Sequence, residues 1–347
     1  MEWVLGRRRQ GDRRVSAALS TLMMPAVASL VVLGPASAAQ ASDCTRTHSG
    51  RVPLVDLGTG TYLGAQGGLY PGGANSRPAA HDSAGRSIAT NQILPRNSSG
   101  AVDNTNGKVV FASIGMSNTT QEFQAFMQSV AGDATLNPKL VLVDGAQGGQ
   151  AATAWADPNS TTWQVLNNRL MQAGVTPAQV QTVWLKQQFG GDNLGTFPSG
   201  AQQLRDALRS IVTIAKSKYP NLRIVHLSSR TYGDYSTALR GKGAYEQAFA
   251  VKQLIEDQIA GDPRLAYAGT SAPAPWLAWG PYLWADGLGA DGVPGGVPGR
   301  RDGLEWTCAD YQTDGVHPST SGRNKVARAL VEFYRNDTTA APWFRAS

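Results

Sequence analysis

The feature that most constrains this chain is an alternation that begins at Lys108, where short apolar runs take turns with longer segments of helical periodicity. Val109 to Ile114, Leu140 to Val143, Val180 to Leu185 and Arg223 to Leu227 read as strands, and a fifth lies in either Leu265 to Ala268 or Trp276 to Trp279. Phe123, Phe126, Met127 and Val130 fall at i, i+3, i+4 and i+7 on one helical face, and Thr119 and Glu122 have capping-box spacing at its start. Further helices are expected over Thr161 to Ala173, over Ala201 to Lys218, in a segment stopping at Gly261, and over about Ser321 to Asn336. Strands that alternate with helices join in parallel through right-handed crossovers. The expected fold is therefore α/β, a doubly wound parallel sheet of about five strands with helices on both faces. Sites in such sheets gather at the carboxyl ends of the strands.

Upstream of this array the pattern is different. Residues 42–107 are rich in Gly, Asn, Ser and Pro without sustained periodicity, and read as an irregular N-terminal extension ordered by packing on a domain spanning 108–347. Residues 1–41 read as an export signal. Arg7, Arg8, Arg9, Arg13 and Arg14 make a basic start, Val15 to Leu33 is apolar and small, and cleavage is expected after Ala41. Ser16, Ser20, Thr21, Pro25 and Ser29 interrupt the apolar stretch, which argues against a stable membrane anchor. Five arginines and two acids fall in this leader, so the remainder carries 26 basic against 23 acidic residues, interspersed and without a basic run. That distribution offers no footprint for nucleic acid. Export places the only two cysteines, Cys44 and Cys308, where a disulfide can form, two unpaired thiols being the alternative.

The first strand ends in Ile114-Gly115-Met116-Ser117-Asn118, at a strand-to-helix turn. There the Ser117 hydroxyl sits beside unpaired backbone N–H groups and the positive end of a helix, which can hold an oxyanion. Alone, a Gly-x-Ser-Asn turn serves structure as readily as chemistry. A serine needs a base to become a nucleophile. His226 lies inside an apolar strand and His48 and His81 in the extension, whereas His317 stands in a loop before the last helix, with Asp314 three residues upstream to orient its imidazole. The two elements together, at opposite ends of an α/β array, make the stronger case.

On these residues the chain resembles the SGNH (GDSL-like) hydrolase superfamily, in which a Gly-x-Ser turn after the first strand supplies the nucleophile and an Asp-x-x-His before the last helix supplies the rest of the triad. Gly-x-Ser-Asn is similar to the carbohydrate-esterase (sialate O-acetylesterase-like) branch, as is a Gly-Gly segment followed by Trp155. The resemblance covers roughly residues 108 to 336 and implies an SGNH-hydrolase or flavodoxin-like three-layer sandwich. It assigns oxyanion-hole donors to Ser117 and to Gly149, with Gly148 as the neighbouring choice. One block departs from the family: Val183-Trp184-Leu185-Lys186-Gln187 has Lys186 where a donor glutamine stands, so either Lys186 or Gln187 fills the third donor position or that donor is missing.

The expectation is a secreted serine esterase, extracellular or periplasmic, that hydrolyses O-acyl, chiefly O-acetyl, esters on a carbohydrate and needs no cofactor or metal. Its partner is an acylated carbohydrate or another small ester. Trp276, Trp279 and Trp284 offer either sugar-stacking faces or core packing. The rival readings are an inactive glycan-binding protein on the same fold and a lipase or simple-ester hydrolase. A metal-dependent hydrolase finds no clustered His and carboxylate ligands.

Overall fold

Five parallel strands form the centre of the molecule in a computed structural model that describes residues 42–192, 194–238, 240–287 and 300–346; the expected signal segment lies outside the described residues. The strands are β1 (Val109–Gly115), β2 (Leu140–Val143), β3 (Val180–Lys186), β4 (Ile224–Leu227) and β5 (Trp276–Trp279), paired in the order β2-β1-β3-β4-β5. The second candidate for the fifth strand is the one used. Leu265 instead closes the single turn Pro263–Leu265, which Asp262 caps by accepting from the Arg264 N–H. Every residue of β1, β3, β4 and β5 is buried, as continuous apolar runs require when both faces of a sheet are covered, and only the edge strand β2 is partly open.

The helices that follow are α1 (Ala79–Asn91), α2 (Ser117–Ser129), α3 (Thr161–Gln172), α4 (Ser199–Lys218), α5 (Gly241–Ile259) and α6 (Thr320–Asn336). Right-handed crossovers in this strand order send α2 to one face and α3, α4 and α5 to the other. Accordingly α4 packs on α5, and α6 returns to pack on α2. The doubly wound α/β fold expected from the alternation is the one observed.

Two local expectations need correction, and of the two readings of the tryptophans one is observed. The stretch before Lys108 contains the thirteen-residue α1, which the composition hides because its buried face is His81, Gly85, Ile88 and Ala89. Gly85 is required there, since a Cβ would come within 2.3 Å of the Trp276 indole, on which His81 stacks at 4.8 Å. Thr119 and Glu122 form no capping box. The helix begins earlier, at Ser117, and both side chains turn inward: Thr119 donates to the Lys186 carbonyl (2.8 Å) and Glu122 pairs with the Lys186 ammonium. The tryptophans are core: Trp276, Trp279 and Trp284 are at most 2% exposed, so none offers a face to a sugar.

Candidate active site

The strand order reverses direction between β1 and β3, because the chain leaves β1 toward β2 on one side and returns to β3 on the other. Such a switch point opens a crevice at the carboxyl ends of the strands. Ser117 stands there, the first residue of α2, preceded by an extended Met116. Gly115 allows this, since a Cβ would press within 2.5 Å of the Lys186 carbonyl on β3. As the first helical residue, Ser117 has an N–H with no acceptor inside the helix.

Ser117 Oγ lies 2.8 Å from His317 Nε2, and His317 Nδ1 lies 2.5 Å from Asp314 Oδ2. The other carboxylate oxygen of Asp314 accepts from the N–H groups of Val316 and His317, both at 2.9 Å, so the Asp-Gly-Val-His segment folds around its own carboxylate. Burial raises the Asp314 pKa, but the His317 imidazole and these two N–H groups outweigh it and hold the carboxyl below its ordinary value. It stays a carboxylate, able to fix the tautomer that leaves Nε2 facing Ser117. Gly315 takes φ +65° against the Tyr235 backbone, where a Cβ would meet the carbonyl at 2.6 Å. Any side chain there would push Asp314 and His317 out of place.

The loop is held from two further sides. Asn118 Nδ2 donates to the Val316 carbonyl at 2.8 Å, tying the start of α2 to the His317 loop. Ser42 N–H donates to the Thr313 carbonyl at 2.6 Å, and the Cys44–Cys308 disulfide anchors the same N-terminal stretch. The disulfide expectation is thus met in the structure. The Asn118 tether could not be read from sequence beyond the motif residue itself, because its acceptor lies 198 residues away.

The segment after β2 approaches Ser117 from the opposite side. A Cβ on Gly148 would lie 3.9 Å from the Ser117 Cβ, so Gly148 abuts Ser117, while Gly149 adopts φ +74° with open space beside it. Neither glycine N–H is taken by a backbone hydrogen bond among the described residues. The segment is pinned at both ends: Gln147 donates its amide to the Gly145 and Thr162 carbonyls, and Gln187 donates to the Gln150 carbonyl at 3.0 Å.

The two candidates for a third donor both make interior contacts. Lys186 is wholly buried and its Nζ engages both oxygens of the equally buried Glu122 at 2.5 Å, which commits the ammonium to an interior ion pair. Gln187 spends its amide on the glycine segment and its carbonyl on the Gln188 N–H. Both support the walls of the site. No group of three or more His, Cys, Asp or Glu residues able to hold a metal ion occurs among the described residues.

No protein-family model and no curated protein matches the sequence. Solved structures similar to it include a carbohydrate esterase of family 3 from Talaromyces cellulolyticus, at 14% identity over 64% of this chain and 94% of that one, with a TM-score of 0.35. The C-terminal catalytic domain of a Streptococcus pneumoniae peptidoglycan O-acetyltransferase is similar at 13% identity over 69% of this chain and 98% of that one, with a TM-score of 0.34. A Slackia heliotrinireducens protein assigned to the SGNH hydrolases is similar at 14% identity over 65% of this chain and 99% of that one, with a TM-score of 0.30. Activity does not travel with fold at such distances, and what this site does has to be argued from its own groups.

Proposed function

We propose that the chain is a serine esterase that hydrolyses O-acyl esters through an acyl-enzyme on Ser117. The observation that carries this reading is the unbroken hydrogen-bonded line from Ser117 Oγ through His317 to Asp314. His317 Nε2 takes the hydroxyl proton as Ser117 Oγ attacks the acyl carbonyl. The oxyanion is held by the N–H groups of Ser117 and of Gly148 or Gly149. On collapse the ester C–O bond breaks and His317 returns its proton to the leaving alcohol. Water then gives a proton to His317 and its oxygen to the acyl carbon. The carboxylic acid leaves, Ser117 recovers its proton, and Asp314 stabilises the imidazolium in both halves.

The site suits a small acyl group on a bulky or polymeric alcohol. The His317 and Asp314 side chains remain 35% and 31% exposed, so the catalytic line lies open to solvent, where an ester carried on a large alcohol can reach it. The carbohydrate part of the reading rests on the Gly-x-Ser-Asn resemblance, now without aromatic platforms from the buried Trp276, Trp279 and Trp284. Export of the mature chain belongs to the same proposal, and the disulfide suits an oxidising compartment. No helix among the described residues is long and apolar enough to cross a membrane.

The test is hydrolysis of p-nitrophenyl acetate and of acetylated xylan by the full chain and its Ser117→Ala variant. Loss of on the order of 10⁶-fold in kcat is expected when the nucleophile is removed. Equal rates in the two proteins would end the assignment.

A further inference from the structure

A second site lies at the opposite edge of the sheet. Arg96 precedes β1, Arg223 immediately precedes β4, and Lys216 occupies the last turn of α4, so all three cations stand at the amino ends of strands while Ser117 stands at the carboxyl ends. Lys216 and Arg223 line an open cleft of about 780 Å³, together with Gln92, Thr213, Ser217 and Thr270, and no acid contributes to its wall.

The electrostatics of this cleft are unfavourable as the protein stands. Burial lowers the pKa of all three groups; repulsion from Arg223 and Arg96 adds to this at Lys216, bringing it to about 8, and repulsion from Arg223 adds to it at Arg96. No carboxylate offsets these shifts, and none of the three cations joins an ion pair among the described residues. Lys216 donates to the Pro220 and Leu222 carbonyls, both at 2.9 Å, and Arg96 to the Gly100 carbonyl at 2.8 Å. Like charges gathered around a cleft with no acid in its wall are costly to hold together. That cost is relieved by one kind of ligand, an anion with several acceptor oxygens, which a guanidinium engages and hydroxyls complement.

We propose that the Lys216–Arg223 cleft binds an oxyanion, a carboxylate, sulfate or phosphate group. The inference is independent of the chemistry assigned to Ser117. Arg223 supplies the fork, Lys216 a point charge already oriented by two carbonyls, and Ser217 and Thr270 the neutral donors. Arg96, outside the cleft wall, raises the local potential.

Isothermal titration calorimetry on the full chain tests this, with sodium sulfate and sodium phosphate as inorganic probes, sodium chloride at matched ionic strength as control, and galacturonic acid and polygalacturonate as the carboxylate arms. Saturable binding of at least one oxyanion is expected, with no heat from chloride, and at least tenfold weaker binding by Arg223→Gln. Lys216→Met gives a second variant should the first fail to fold, and both should hydrolyse p-nitrophenyl acetate at the wild-type rate. Tighter binding per carboxylate by polygalacturonate than by galacturonic acid assigns the site to a polymer-borne group; equal or weaker binding assigns it to a free anion. Absence of saturable binding by every probe, or wild-type affinity in a folded Arg223→Gln or Lys216→Met protein, overturns the proposal.

Discussion

Lys186→Met separates two roles for the residue that departs from the family pattern. Lys186 and Glu122 are both wholly buried and joined through both carboxylate oxygens. Methionine keeps much of the lysine volume but leaves Glu122 charged and unpaired in the interior. Breaking a buried pair from one side costs about 3–5 kcal/mol, whereas replacing both partners by apolar residues is often neutral or stabilising. For a domain of this size a loss of about 4 kcal/mol lowers the unfolding midpoint by roughly 8 °C. Against a total stability of about 5–15 kcal/mol the variant still folds at low temperature. Glu122→Leu combined with Lys186→Met should recover to within about 1 kcal/mol of wild type. Urea unfolding of the wild type, the two single variants and the double variant gives the coupling directly. The same four proteins report on catalysis. Removing an oxyanion donor costs about 10²–10³-fold in kcat, so a double variant that keeps kcat within about threefold of wild type shows that Lys186 supports the site from beneath. Wild-type stability in Lys186→Met, or a hundredfold loss of kcat in a fully stable double variant, would refute the reasoning.

Three other perturbations follow from the geometry. Cys44 and Cys308 close a loop 264 residues apart in sequence, for which the chain-entropy relation gives about 5.6 kcal/mol; Cys44→Ser with Cys308→Ser should lower stability by that order in urea, and identical midpoints in the two proteins would contradict it. Asn118→Ala removes the donor to the Val316 carbonyl and loosens the His317 loop, so kcat should fall about tenfold, the worth of one hydrogen bond, with KM unchanged; an unaltered kcat would remove Asn118 from the positioning of the site. Burial lowers the pKa of His226 despite the attraction of Asp337, which keeps it neutral in the folded protein while the unfolded chain takes up a proton below its ordinary 6.5. Stability contributed by the neutral imidazole is therefore present above pH 6.5 and lost on acidification, by up to about 1.4 kcal/mol per pH unit, and a pH series of urea midpoints should be shallower in His226→Phe.

What could be read from the sequence depended on whether a feature is local. The strands were legible because each is an unbroken apolar run between turn residues, and β5 was ambiguous only because Leu265 to Ala268 has the same local character. α1 was hidden because its inward face holds His81 and Gly85, chosen to fit the Trp276 ring, and no propensity scale reports a fit to a distant ring. The tryptophans show the limit of composition: a crowd of indoles looks like a binding surface, and only the fold reveals that Trp276 and Trp279 spend their N–H groups on the His81 and Leu69 carbonyls of the N-terminal segment. The Glu122–Lys186 pair is non-local in the same way, its members 64 residues apart and joined because β3 ends beside the first turns of α2.

Ser117 and His317 are 200 residues apart, yet their meeting follows from topology. In a right-handed doubly wound sheet the helices run opposite to the strands, so every helix that follows a strand begins at the carboxyl edge. The reversal between β1 and β3 sends the first crossover to the face opposite the next three, so α2 lies on the face to which α6 comes back and packs against it. α2 and α6 thus begin at the same edge. Ser117 opens one, and His317 stands three residues ahead of Thr320, which opens the other. Proximity is supplied by the fold, and the short-range work falls to Gly315, Asn118 and the N-terminal strap through Ser42, which convert two neighbouring helix starts into a 2.8 Å hydrogen bond. A strap that reaches the loop from the far end of the sequence makes the geometry of the site depend on the segment before Lys108, so loss of that segment should cost activity before it costs the sheet.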